Sequence, residues 1–314
     1  VAKDSVGAPV SDLRKTDFRV FDNRVEQVIQ SFEQPSLRTI APNATAAEVQ
    51  TLRRSTQRRS IIVLDMLNAD LGARVRGKNA ISAMLASLPS GHDSIAIFAL
   101  GDQLHMVHDF STNTALLREV MENYTGETPA IGRPASDPFA GGFSLARPSS
   151  PSSGGDLYAE LRLNRTLAAL MEIAANMRDV PGEKNLIWMT SGFVAPEDHS
   201  DMEAATRDLA ASRVTLYPVD SRGLVGCLGG ACPPEINLSI AAMDEMAEQT
   251  GGRAFHDTNA VAESAREALD DSRENYILTY APANYQQNGS VHEVLLRTKR
   301  KGIDLRYRPS YIAD

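Results

Sequence analysis

Two hydrophobic periods run along this chain. From residue 60 onward, short near-continuous apolar runs at 60–66, 94–100, 185–190, 214–219 and 253–256 read as strands. Between them, apolar residues recur at the spacing of one helix face over 73–88, 112–124, 157–178, 201–212, 238–250 and 259–273. In 73–88 the stripe is Val75, Ile81, Met84, Leu85 and Leu88. Apolar strands alternating with such helices predict an α/β fold: a doubly wound, mostly parallel, Rossmann-like sheet covered on both faces. One interval departs from this. In "GDQLHMVHDF" the Gly-Asp pair permits a tight reversal, which predicts an antiparallel strand at 104–110 near a sheet edge.

The two ends of the chain alternate with period two instead. Residues 10–32 place Phe18, Val20 and Val28 around a polar "DNR" turn, predicting a hairpin. Three strand-like runs, "NYILTYAP", "VHEVLLRTK" and "IDLRYRPSY", close the sequence. The implied organisation is an accessory β-layer built from residues 1–34 and 275–314, with an α/β domain over 58–274 inserted between its halves. Residues 35–57 connect the two through a helix at 45–57, where Thr45 and Glu48 have capping-box spacing. The Gly-, Pro- and Ser-rich stretch 125–156 reads as a mobile surface loop.

Composition narrows the function. The 314 residues carry 42% hydrophobic and 23% charged side chains, ordinary for a globular protein. A net charge of −8 argues against a nucleic-acid or anionic-membrane partner. No apolar run reaches the roughly 18–20 residues of a transmembrane helix. The first residues have no apolar leader core, and their strand-like character suggests that a signal peptide is missing from this chain. Cys227 and Cys232 share the loop "GCLGGACPPE". They read as a loop-closing disulfide of an oxidising compartment or as two free thiols; their spacing without histidine is a poor zinc signature.

Ligands of open α/β sheets sit beyond the carboxyl ends of the strands. Asp65, Thr190, Ser191 and Asp220 all fall at such ends, and Asn68 is close enough to Asp65 to share the rim. Oxygen donors of this kind suit magnesium, calcium or manganese, but aspartates at these places also cap the following helices and turns. Motifs for catalysis are missing. Ser191 lies in "TSGF", outside a G-x-S-x-G elbow, and no phosphate-cradling glycine loop is present. His105 and His108 are three apart on a presumed strand and so are expected on opposite faces. "TGGRAF" reads as a helix stop, and Trp188 as core.

The segments "LRKTDFRVFDN", "IIVLDMLNAD", "EKNLIWMTSGF", "VTLYPVDSRGL", "MAEQTGGRAF", "YILTYAPAN" and "LRYRPSYIA" together resemble a von Willebrand factor type A (VWA) domain. More specifically, they resemble the VWFA-related domain family frequent in acidobacteria. Type A domains hold a divalent ion in a metal-ion-dependent adhesion site, with D-x-S-x-S on the first loop, a threonine before a central helix and an aspartate after the fourth strand. Here Asp65 matches the first position, but Leu67 and Ala69 stand where the serines would be. Ser191 replaces the fourth-strand aspartate, and either Thr166 or Asn164 fills the threonine position.

The resemblance therefore implies a non-catalytic interaction, adhesion or assembly module with a degenerate metal site. Its expected binding rim is Asp65, Asn68, Ser191 and Asp220, taking a protein partner and needing no cofactor. The implied location is extracytoplasmic: periplasmic, secreted or associated with the cell envelope. Two alternatives are a cation-dependent adhesion protein with a rebuilt magnesium, calcium or manganese site, and a hydrolase using Asp65 or Asp220.

Overall fold

The computed structural model describes residues 1–34, 58–126, 129, 153–195, 198–225, 233–271, 275–283, 286 and 288–313. The helix expected at 45–57, most of the 125–156 loop and the Cys227–Cys232 pair lie outside them.

The chain opens with β1 (Ala2–Asp4), β2 (Phe18–Asp22), β3 (Val25–Gln27) and β4 (Ile29–Glu33). The α/β portion follows as β5 (Arg58–Asp65), α1 (Leu71–Ser87), β6 (Asp93–Leu100), β7 (Leu104–Ser111) and α2 (Thr114–Asn123). It continues through α3 (Ser153–Met177), β8 (Lys184–Thr190), α4 (Ser200–Ala211), β9 (Val214–Asp220), α5 (Pro234–Thr250) and α6 (Val261–Asp271). The chain then returns through β10 (Ile277–Tyr280), β11 (Val291–Thr298), β12 (Ile303–Leu305) and β13 (Ser310–Ile312).

The central sheet has the order β7-β6-β5-β8-β9. β5, β6, β8 and β9 run parallel, and β7 is antiparallel at the edge, as the Gly-Asp reversal predicts. The strand order reverses at β5, so the crevice above its carboxyl end is the topological switch point. Alternation along β5 sends Ile61 and Val63 to one face and Ile62 and Leu64 to the other. The first pair packs with residues of α3, α4 and α5, and the second with residues of α1, α2 and α6. Both faces are therefore buried, which is why β5 reads as a continuous apolar run.

Local chemistry sets the element ends. Asp70 caps α1 by accepting a hydrogen bond from the Ala73 amide at 2.7 Å, and Asn113 does the same for α2 through Leu116 at 3.1 Å. The buried Lys184 ammonium donates to the carbonyls of Met177 and Val180, tying the end of α3 to β8. Gly251 stops α5 in the left-handed conformation (φ 83°), as the sequence predicts.

Three expectations need correction. Residues 253–256 are not a strand: Phe255 makes a single bridge to Val219. The chain is pulled against β9 at Gly252, where a Cβ would lie 1.9 Å from the Leu216 carbonyl oxygen, and it turns away at Asp257 with φ 56°. Val75 is half exposed and off the buried stripe of α1, whose inward positions are Ala73, Gly77, Ala80, Ile81, Met84 and Leu85. An irregularity in β7 places His105 opposite Ala99 and His108 opposite Ile97, an even separation on β6, so the two histidines share one side of the ladder.

The terminal segments form the accessory layer. β11 joins β2 and β13, β2 joins β3 in the expected hairpin, β10 joins β4, and β12 joins β1. The last predicted run is split into β12 and β13, with Pro309 between them. Phe18, Phe32 and Tyr276 pack together in this layer's small core. At the far end of the same face of β2, Asp22 is a buried carboxylate. Its Oδ1 lies 2.6 Å from His292 Nδ1, and its Oδ2 accepts from the hydroxyls of Tyr280 (3.0 Å) and Tyr311 (2.5 Å). A second buried carboxylate, Asp271 at the end of α6, meets Lys3 at 2.9 Å, Arg253 at 3.7 Å and also Arg306. The pairs of Asp271 with Lys3 and Arg306 fasten the layer to the α/β portion.

Burial pushes the Asp22 carboxyl up, but the bonds from Tyr311, His292 and Tyr280 outweigh it and hold the group below the ordinary carboxylate range. Its stabilisation is thus fully present above the unfolded value of about 3.9 and is lost as pH falls through the lower folded value. Asp22→Asn is expected to cost about 1–3 kcal/mol near neutral pH. It should also flatten the acid limb of a near-ultraviolet circular dichroism titration, which the wild-type protein will show.

Candidate functional site

The carboxyl ends of β5, β8 and β9 make one rim. Val63 pairs with Trp188 and Leu64 with Met189 across β5 and β8, while Thr190 pairs with Asp220 across β8 and β9. With a side-chain period of two, Asp65, Trp188 and Thr190 project from the same face of the sheet. The register therefore brings an indole N–H and a hydroxyl to a carboxylate more than a hundred residues earlier in the chain.

Asp65 is fully buried. Its Oδ1 accepts from the backbone amides of Leu67 (3.0 Å) and Asn68 (2.9 Å). Its Oδ2 accepts from Asn68 Nδ2 (2.8 Å), Trp188 Nε1 (3.2 Å) and Thr190 Oγ1 (2.7 Å). That is two donors on one oxygen and three on the other, against about four lone-pair sites on a carboxylate. Asn68 Nδ2 also donates to Thr166 Oγ1 at 2.8 Å, and Thr166 in turn donates to the Arg162 carbonyl. The helical register of α3 thus selects Thr166 for the rim and leaves Asn164 exposed. Leu67 and Ala69 are buried, and Leu67 joins the apolar core where the family pattern has a serine ligand.

The other two predicted residues are placed differently. Asp220 is bound by its near neighbour Arg222: the Arg222 amide and Nε reach Oδ1, and Nε and Nη2 reach Oδ2, at 2.7–3.0 Å. Arg222 Nη1 donates onward to Ser239 on α5 at 3.1 Å. Ser191 is buried at the rim, and its hydroxyl has no hydrogen-bond partner among the described residues. Thr190 links the two halves: its hydroxyl accepts from the Gly192 amide, and its carbonyl accepts from Ser221. On the α1 side, Arg74 Nε donates to the Ala69 carbonyl at 2.9 Å. Burial lowers the Arg74 pKa, while the charges of Asp65 and Asp70 act to raise it.

The structure brings Asp65 and Asn68 into direct contact, with Thr190 between them and the Asp220–Arg222 pair. Trp188 and Arg222 are the rim residues that sequence reasoning missed as partners. The Arg222 signal, a guanidinium two residues after a strand-ending aspartate, was available in "VDSR"; the Trp188 contact depends on β5–β8 register. Among the described residues, no group of three or more histidine, cysteine or acidic side chains is arranged to hold a metal ion.

No family model matches the chain, and no curated protein matches it. Several solved structures are similar. An aerotolerance-related membrane protein from Bacteroides fragilis is 14% identical, covering 68% of this chain and 99% of that one at a TM-score of 0.43. BatB from Bacteroides thetaiotaomicron is 13% identical, covering 68% and 98% at 0.38. A von Willebrand factor type A structure from Catenulispora acidiphila is 15% identical, covering 69% and 43% at 0.42. The fold is a doubly wound, mostly parallel α/β sheet with β5 at its centre and an antiparallel edge strand.

Asparagine cannot replace Asp65 conservatively. Its amide would turn a donor toward either the two backbone N–H groups or the three side-chain donors. Asp65→Asn is expected to lower the unfolding free energy by about 2–4 kcal/mol in urea titrations. The exposed Asn164→Ala should stay within about 0.5 kcal/mol of wild type.

Proposed function

We propose that this chain is a non-catalytic, extracytoplasmic protein-interaction module of the VWFA-related kind. In this reading Asp65 organises the rim through hydrogen bonds in place of a cation. The carrying observation is a contrast at the carboxyl ends of three strands. The polar side chains of Asp65, Asn68, Thr190 and Asp220 there are engaged within the protein, while the residues that follow expose hydrocarbon. Leu71, Val194 and Leu224 are exposed, and each follows Asp65, Thr190 or Asp220 within six residues. Leu238, in the first turns of α5, is exposed as well. Apolar side chains around a desolvated polar centre suit a protein partner. Loops held at strand ends by a rigid sheet are the usual place for such contact.

The occupied lone pairs of Asp65 and the guanidinium on Asp220 support cation independence, because a hard divalent ion needs oxygen donors free to replace its waters. They also argue against either carboxylate as a general base, since a base needs a lone pair directed at a substrate proton. Among the described residues, no helix is long and apolar enough to cross a membrane.

Two measurements test the reading. Calorimetric titration with magnesium, calcium and manganese should give no heat and no thermal shift; saturable binding would instead establish a rebuilt cation site. In pull-downs from the native cell envelope, a Leu71→Asp/Leu224→Asp double variant should lose the specific partner while keeping the wild-type melting temperature. Capture should be the same with and without a chelator. Undiminished capture by the double variant would move the contact away from the rim.

A further inference from the structure

A partly open cavity lies at the other end of the sheet from the rim. With a volume of about 350 Å³, it separates the accessory layer from the base of the α/β portion, where β9 begins at Val214. This is within the range of roughly 300–1,000 Å³ that small-molecule pockets occupy. Its apolar wall includes Phe18 and Val20 of β2, Leu296 of β11, Tyr276, Leu278 and Val214.

The polar part of the wall is concentrated and incompletely satisfied. Arg213, Arg306, Arg308 and Glu183 all line the cavity. Arg306 is paired with Asp271, yet among the described residues its buried Nε has no hydrogen-bond partner, and neither has the buried Oδ1 of Asn275 in the same wall. Native proteins rarely leave such atoms unmet without a water or a ligand. The surrounding protein displaces water from the guanidinium of Arg308 and lowers its pKa, against the opposing attraction of Glu183. The same loss of water raises the pKa of Glu183, against the pull of Arg213, Lys184 and Arg308. A desolvated cation facing an apolar chamber is costly until an anion meets it. Arginine is the side chain best shaped to meet a carboxylate, through two parallel hydrogen bonds.

We propose that this cavity binds a small amphipathic carboxylate, with its hydrocarbon body against the β2–β11 face and its head toward Arg308 and Arg213. The site does not depend on the rim, so its fate is separate from that of the protein-interaction reading. An occupant would touch both the accessory layer and the α/β portion, and so would stabilise their apposition.

Isothermal calorimetry of the full chain with octanoate, octan-1-ol and acetate tests this. Octanoate should bind one site and raise the melting temperature; octan-1-ol should bind about tenfold more weakly for lack of the charge, and acetate should not bind detectably. Ala210→Trp fills the cavity from α4 and should abolish octanoate binding. Arg308→Met keeps an apolar stem, removes the charge and should weaken octanoate about tenfold while leaving octan-1-ol unchanged. Circular dichroism establishes whether each variant is folded, and if Ala210→Trp is not, Arg308→Met decides. Absence of octanoate binding, equal affinity for octan-1-ol, or octanoate affinity unchanged in folded Arg308→Met would overturn the proposal.

Discussion

A buried carboxylate must be met by donors or by a cation, and at Asp65 the chain meets it with donors. That requirement organises the upper end of the sheet. Two backbone amides fix the turn after β5, Asn68 and Thr166 carry the network to α3, and Trp188 and Thr190 carry it to β8. The partly buried Arg74 lies near enough for Asp65 to act on its ionisation, against the effect of burial. Asp220 solves the same problem locally, with Arg222. Apart from the buried hydroxyl of Ser191, the resulting rim is polar in composition but closed in bonding, and apolar residues lie exposed on the loops around it.

The accessory layer repeats the principle. Asp22 gathers His292, Tyr280 and Tyr311 from three strands of the C-terminal half, and Asp271 gathers cations from β1, from the loop after α5 and from the segment after β12. Each carboxylate joins chain segments that are far apart in sequence. Small apolar contacts such as Phe18 with Phe32 and Tyr276 fill the layer, but they leave it with a modest core compared with the two faces of the main sheet.

The main sheet was legible because strands buried on both faces must be apolar along their length, and the intervening helices show their inward stripe. The failure at 253–256 was equally physical. "GGRAF" has the apolar ending of a strand, but its two glycines serve a helix stop and a close backbone approach. The position of Asp65 could be read from the end of its strand. Its partners could not, because Trp188 and Thr190 reach it through β5–β8 register rather than through nearby sequence. The choice between Thr166 and Asn164 stayed open until the rotation of α3 placed one inward and the other in solvent. In the layer, pairing between the two ends was legible from composition, but the Asp22 cluster was not, since its members lie on separate strands whose mutual register no local pattern encodes.

The pairing of the first strands with the last also sets an order of assembly. Asp22 and His292 are 270 positions apart, and β2 finds β11 across the whole intervening fold. Closing so long a loop in an unstructured chain carries an entropic cost that no single strand pair offsets. Once the α/β portion has condensed through its more local contacts, the two ends emerge close together and most of that cost is already met. The layer is therefore a late-forming clasp, completed after nearly the whole chain is available, and the first part to open when the protein is stressed.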